Sequence, residues 1–135
     1  MPLITWDDSY HVHVRRIDEQ HRLLVDLLNR LHDTLRASRE QEEAIDLLDT
    51  LVELTSLHCH DEEKLLRWNG IPGCAEQMLD HNRLLHQLLA IRDQLRAGSV
   101  PRSRQLVLFL RKTLVDHIQG RDRECAQWLI AKGIH

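Results

Sequence analysis

The chain has 135 residues, a formal net charge of -3 and 29% charged residues, so it can bury one core and carries no basic excess to follow a phosphate backbone. Its longest apolar runs, such as Leu106 to Leu110, fall far short of the roughly 20 residues that cross a bilayer, and the opening MPLITWDDSY lacks the basic and apolar regions of a signal peptide. One domain over residues 1–135 is expected, in the cytoplasm, with neither nucleic acid nor membrane as partner, and the odd set Cys59, Cys74 and Cys125, without CxxC spacing, reads as reduced thiols.

Apolar residues recur at three- and four-residue spacing through four long segments, which predicts an all-α chain. An irregular arm holding Trp6 and Tyr10 comes first. Asp18 is the expected N-cap of the first helix, whose inward seam reads His21, Leu24, Leu28, Leu31, Leu35. Ser38 to Gln41 has the form of a capping box and opens a second helix with the seam Ala44, Leu47, Leu51, Leu54, His58, Glu62, Leu65. Gly70-Ile-Pro72-Gly73 closes it with turn chemistry, and the third helix runs from about Cys74 to Ala97. After the break Gly98-Ser-Val-Pro101, a fourth helix carries Leu106, Leu110, Leu114 and His117 on one stripe, and Cys125 to Ala131 continue helically past a bend near Gly120. Short connections between four such helices make an antiparallel up-down four-helix bundle with an irregular N-terminal arm and a short C-terminal helical extension.

The third helix holds two histidines five residues apart, in QMLDHNRLLH. Residues five apart on a straight helix differ by about 140° around its axis, so His81 and His86 cannot share the seam. The register Leu84, Leu88, Ile91, Leu95, extended backwards in steps of three and four, reaches His81 and then Gln77. His81 therefore faces inward, and His86 falls on the side of Asn82, Arg83 and Asp93. A π-bulge between the two would change this, and nothing in the stretch requires one.

Each helix thus turns a histidine into a seam that should be apolar: His21, His58, His81 and His117. Glu62 follows His58 by four residues on the same face, and Asp122 follows His117 by five. Burying these groups without partners would cost several kcal/mol. A divalent metal satisfies them best; imidazole with carboxylate suits iron, manganese or zinc, and bridging carboxylates are how bundles hold two ions. The alternative is an ordinary core in which each histidine bonds to a carboxylate or a water. His11, His13, His32, His60 and His135 fall in the arm, on helix flanks or at the C-terminus and are expected to be solvated.

At these residues the sequence resembles the bacterial hemerythrins, four-helix bundles with a non-haem di-iron site that binds dioxygen. The resemblance covers nearly the whole chain: Trp6 in the arm, Ile17-Asp-Glu-Gln-His21, His58 with Glu62-Glu63, the Gly70 turn, and Leu114-Val-Asp-His117-Ile with Asp122. It implies two iron ions with an oxo or hydroxo bridge, His21 and His58 on one, His81 and His117 on the other, and Glu62 and Asp122 bridging both. The chain has no ExxH, the spacing a ferritin-like di-iron site needs.

Two departures from the family stand out. Its third helix carries HxxxH, fifteen and nineteen residues after the glutamate of HxxxEE; from Glu62 these positions are Gln77 and His81, so Gln77 stands where a histidine is expected. It either ligates iron through its amide oxygen or bonds to a ligand from outside. Cys59, Leu66 and Thr113 also replace an aromatic, a methionine and a tryptophan, so either water reaches the irons more easily or other side chains fill the gaps. Cys59 is equally readable as a small buried hydrophobe. The implied function is dioxygen binding by a carrier, store or sensor. The competing readings are an iron enzyme that takes peroxide or nitric oxide at an open coordination position, and a bundle with a degraded metal site.

Overall fold

The three- and four-residue leucine spacing produces the long helices it predicts. The computed structural model describes residues 3–36, 41–98 and 104–135. In it α1 is Arg15–Arg36, α2 Gln41–Trp68, α3 Cys74–Arg96 and α4 Arg104–Asp116; a π-helical segment, His117–Asp122, runs straight on from α4 into α5, Arg123–Ala131. α1 packs on α2, α2 on α3 and α4 on α1, giving the four-helix bundle, with no strand among the described residues. No described helix is long and apolar enough to cross a membrane. The capping box at Ser38 to Gln41 and most of the Gly98 to Pro101 break lie outside the described residues. At Gly70 and Gly73 the α2–α3 turn needs φ values of 63° and 87°, which glycine adopts without a Cβ clash.

Two details differ from the sequence reading. Asp18 is not the N-cap: α1 begins three residues earlier, and Ile17 is already buried. The Asp18 carboxylate instead accepts the backbone N–H groups of Val12 (2.8 Å) and His13 (3.1 Å), securing the turn in which His13 takes a φ of 67°. On α2, Leu48 and Leu66 are buried while Leu47, Leu54 and Leu65 are half-buried. α2 packs against both α1 and α3, so its buried face is wider than one stripe.

The apolar side chains form two clusters, not one. The larger includes Leu24, Leu28, Leu51, Leu84, Leu88 and Leu114; the smaller gathers Val12, Val14, Ile17, Leu66, Ile71, Cys125, Ala126 and Leu129. Along every rod the chain passes from one cluster to the other through polar residues: His21 on α1, His58 and Glu62 on α2, Gln77 and His81 on α3, His117 and Asp122 at the end of the fourth. The bundle is an apolar solid with one polar layer across it.

Candidate metal centre

That layer is almost dry. His21, His58, Glu62, Gln77 and Asp122 are 0% exposed, His81 1% and His117 9%. Five of the seven reach it by ordinary α-helical register, His58 and Glu62 four apart on one face and Gln77 and His81 likewise. The fourth rod uses a different device. His117 and Asp122 would sit about 140° apart on an α-helix, yet both are buried, because the intervening turn is π-helical, with i to i+5 bonding that stacks them on one side. His86, at the same spacing from His81 on a regular α-helix, is exposed as predicted.

Asp122 Oδ2 is the focus. Nε2 of His21 lies 2.6 Å from it, that of His117 2.8 Å and that of His58 2.9 Å. The nitrogens themselves are 3.2 Å apart between His21 and His58 and 3.3 Å apart between His58 and His117. Donor atoms held about 2.1 Å from a common ion stand roughly 3 Å from one another, so this spacing is that of a coordination shell. On the other side, Glu62 Oε2 is 3.2 Å from His58 Nε2 and 4.0 Å from His81 Nε2, and His81 Nε2 is 3.7 Å from Asp122 Oδ1. Two four-residue groups result, His21, His58, His117 and Asp122, and His58, Glu62, His81 and Asp122, each with donor atoms within 4.8 Å of one another. His117 thus stands nearer to His21 and His58 than the resemblance implies.

Hydrogen bonding alone leaves the layer unsatisfied. Among the described residues, His21 Nδ1, both ring nitrogens of His81, Glu62 Oε2 and Gln77 Oε1 are buried without a hydrogen bond, each a cost of about 1–3 kcal/mol. Charge is equally unsettled. Burial pushes His21 down to about 4 despite Asp122. It opposes a charged His58 too, but Asp122 and Glu62 outweigh it and raise that group to about 10. Burial and the Asp122 charge raise Glu62, whereas the imidazoles hold Asp122 well below the usual carboxylate range in spite of its burial. Cations coordinated between imidazole and carboxylate would supply the partners and the charge that the protein does not.

The sequence pattern of the Hemerythrin HHE cation binding domain matches residues 12–129. The chain belongs to the hemerythrin family. It is 30% identical over 126 residues to the bacteriohemerythrin of Stenotrophomonas maltophilia (strain R551-3), covering 93% of this chain and 81% of the relative. It is 28% identical over 117 residues to the myohemerythrin of Riftia pachyptila, 87% of this chain and 86% of the relative. A crystal structure of wild-type hemerythrin superposes with a TM-score of 0.84 at 27% identity, covering 93% of this chain and 96% of that one. The family binds a di-iron centre, and the donor set of this hemerythrin, imidazole and carboxylate with buried donors left over, suits such a group.

Other residues hold the layer in place. His58 Nδ1 donates to Gln20 Oε1 (2.9 Å), Gln20 Nε2 donates to Asp61 (2.8 Å), and Arg16 donates to the same carboxylate (2.7 Å). This fixes the His58 tautomer with Nε2 facing the centre and links it to the surface. Periodicity gives no sign of Gln20, which lies off the α1 seam; only its place beside His21 in the Ile17 to His21 stretch marks it. Glu63 stands 3.5 Å from His81 Nδ1.

Gln77 directs Nε2 at Glu62 Oε1, a very short contact, and at Asp122 Oδ1, 2.6 Å away. Two carboxylates on one side fix which end of the amide faces them, and Oε1 points away without a partner. Cys59 is a buried thiol pushed up by burial and by the nearby carboxylates. Of the remaining histidines, His13, His60, His86 and His135 are exposed. His11 and His32 are half-buried instead: the arm folds over His11, whose Nε2 accepts a hydrogen bond from Trp6 Nε1 (3.0 Å), and the His32 side chain is only 16% exposed on α1.

Proposed function

We propose that this chain binds dioxygen reversibly at two iron ions, as a carrier, store or sensor in the cytoplasm. His21 and His58 serve one ion, His81 and His117 the other, and Glu62 and Asp122 bridge them, with Gln77 where a further histidine ligand would stand. The observation that carries this reading is the convergence of four imidazoles and two carboxylates in a dry layer with donor atoms unpaired. Bound iron supplies the electrons that dioxygen needs to bind, which redox-inert zinc does not.

This chain's residues do the rest. The two apolar clusters keep bulk water from the layer. Gln20 orients His58. One turn beyond the histidines lies a cavity of about 10 Å³, walled by six leucines with Thr55 and Thr113 as its polar side chains. That is about the space of one water-sized probe, suited to a small apolar molecule. Metal analysis of the purified protein should give about two irons per chain. The reduced protein mixed with dioxygen should give a long-lived spectrum that reverses on deoxygenation. Zinc in place of iron, or irreversible oxidation on the first encounter, would sink this reading.

The geometry of Gln77 favours one alternative. Its amide donates to both carboxylates, so the ion beside His81 lacks a donor and has a position open to peroxide or nitric oxide. Repeated turnover of peroxide, diminished in Gln77→His, would support that enzyme.

A further inference from the structure

The dry layer has one weak point in its wall. His117 is 9% exposed while its partners are 1% or less, and it lies at the floor of a surface groove of about 550 Å³ between α3 and the π-helical segment. Leu84 and Thr113 line both this groove and the enclosed leucine cavity. The wall between solvent and the cavity is therefore one side chain thick at Thr113, itself half-buried.

We infer that this groove is the access port for the small uncharged ligand of the centre, and that Thr113 is the gate between groove and cavity. The inference rests on the dioxygen-binding reading for the ligand's identity but not for the port's location. Three features support it. First, the groove's charges nearly cancel: Arg83 and Arg121 face Asp80, Asp116 and Glu124, with Arg121 bonded to Asp80 (2.8 Å) and to Glu76 (3.0 Å). Such a mouth neither concentrates anions nor repels a neutral molecule. Second, Gly120 forms part of its floor, and a Cβ there would meet nothing within 4 Å, so the space above the π-helical turn is open. Third, side chains a turn from the histidines (Thr55, Leu84, Thr113, Leu114) line the cavity, so a ligand passing Thr113 arrives beside them. Rotation of one threonine side chain is a nanosecond event in exposed positions, fast enough not to trap a ligand on either side.

The test uses the iron-loaded full chain and stopped-flow dioxygen association and dissociation. A gate changes both rates by the same factor and leaves Kd unchanged. Gln87→Trp, placed at the groove's rim away from the cavity, should slow both rates together by about tenfold; Thr113→Trp should slow them at least as much, and Thr113→Val should change neither. Unchanged rates in Gln87→Trp, or a shift in Kd without a shift in association rate, would overturn the inference. If Thr113→Trp fails to fold, Gln87→Trp decides alone.

A second measurement needs no iron. In the chelator-treated chain, checked for helix content by circular dichroism, diethyl pyrocarbonate should modify His117 ahead of His21, His58 and His81, as mapped by mass spectrometry, and Gln87→Trp should suppress it. Earlier labelling of the other three would place the port elsewhere. Labelling as expected in a chain that binds no dioxygen would leave the port standing and refute the proposed function.

Discussion

Replacing Gln77 with leucine separates two roles of the polar layer. Leucine keeps the bulk of a side chain that is 0% exposed but removes both donors that reach Glu62 Oε1 and Asp122 Oδ1. A hydrogen bond to a charged group contributes about 1.5–3 kcal/mol net, so two amount to about 3–6 kcal/mol. Glu62 is already pushed upward by burial and can take up a proton in the variant, so the lower end, about 3 kcal/mol, is expected. That is a large share of a total stability of about 5–15 kcal/mol. With a urea slope of about 1–3 kcal/mol per molar, the midpoint of the metal-free chain should fall by about 1–3 M. In the iron-loaded chain the ions neutralise the same carboxylates, and the loss should shrink below about 1.5 kcal/mol, a single such bond. Paired urea titrations with and without iron measure both numbers. Equal losses in the two forms, or a metal-free shift under about 0.5 M, would refute the argument that the amide does for the carboxylates what cations would otherwise do.

Gln77→His should raise iron content and slow oxidation of the dioxygen complex; metal analysis and the decay of the oxy spectrum check it, and no change in either would place Gln77 outside the ligand shell. Gln20→Leu frees His58 Nδ1 and should weaken iron binding roughly 10–100-fold, with Gln20→Glu restoring most of it. Chelator competition reads the affinity, and an unaltered value in Gln20→Leu would deny Gln20 its positioning role. In the metal-free chain, His58 is raised from 6.5 to about 10, so its contribution is whole below 6.5 and drains away as pH climbs through 10. His21 is lowered to about 4, so the unfolded chain binds the extra proton between 4 and 6.5 and stability rises across that window. Urea midpoints should therefore crest near neutrality, and a continuous rise to pH 10 would contradict the assignment.

Leucine periodicity was enough to place four helices and to turn His81 inward and His86 outward, because both lie on regular α-helix. The same reasoning has no means of placing Asp122. Its separation from His117 equals that of His86 from His81, yet the outcome is opposite, since the π-helical turn breaks the 3.6-residue period on which the reading depends. Family spacing supplied what periodicity could not. Asp18 misled for a related reason: a carboxylate in the first turn can reach back to the N–H groups of Val12 and His13 while standing inside the helix, and by residue type alone it looks like a cap. Gln20 and the groove over His117 depend on how α1 meets α2 and how α3 meets the π-helical segment. Those are distances between rods, and a single rod's pattern does not contain them.

His21 and Asp122 touch across 101 residues of sequence. Ions gripped there would stitch the beginning of the first rod to the end of the last, closing nearly the entire polypeptide into a ring. By the cross-link entropy relation such a ring would favour the folded chain by on the order of 4–5 kcal/mol. Surrender of the metal and dissolution of the bundle then become a single act, and the off-rate of iron should keep time with global unfolding.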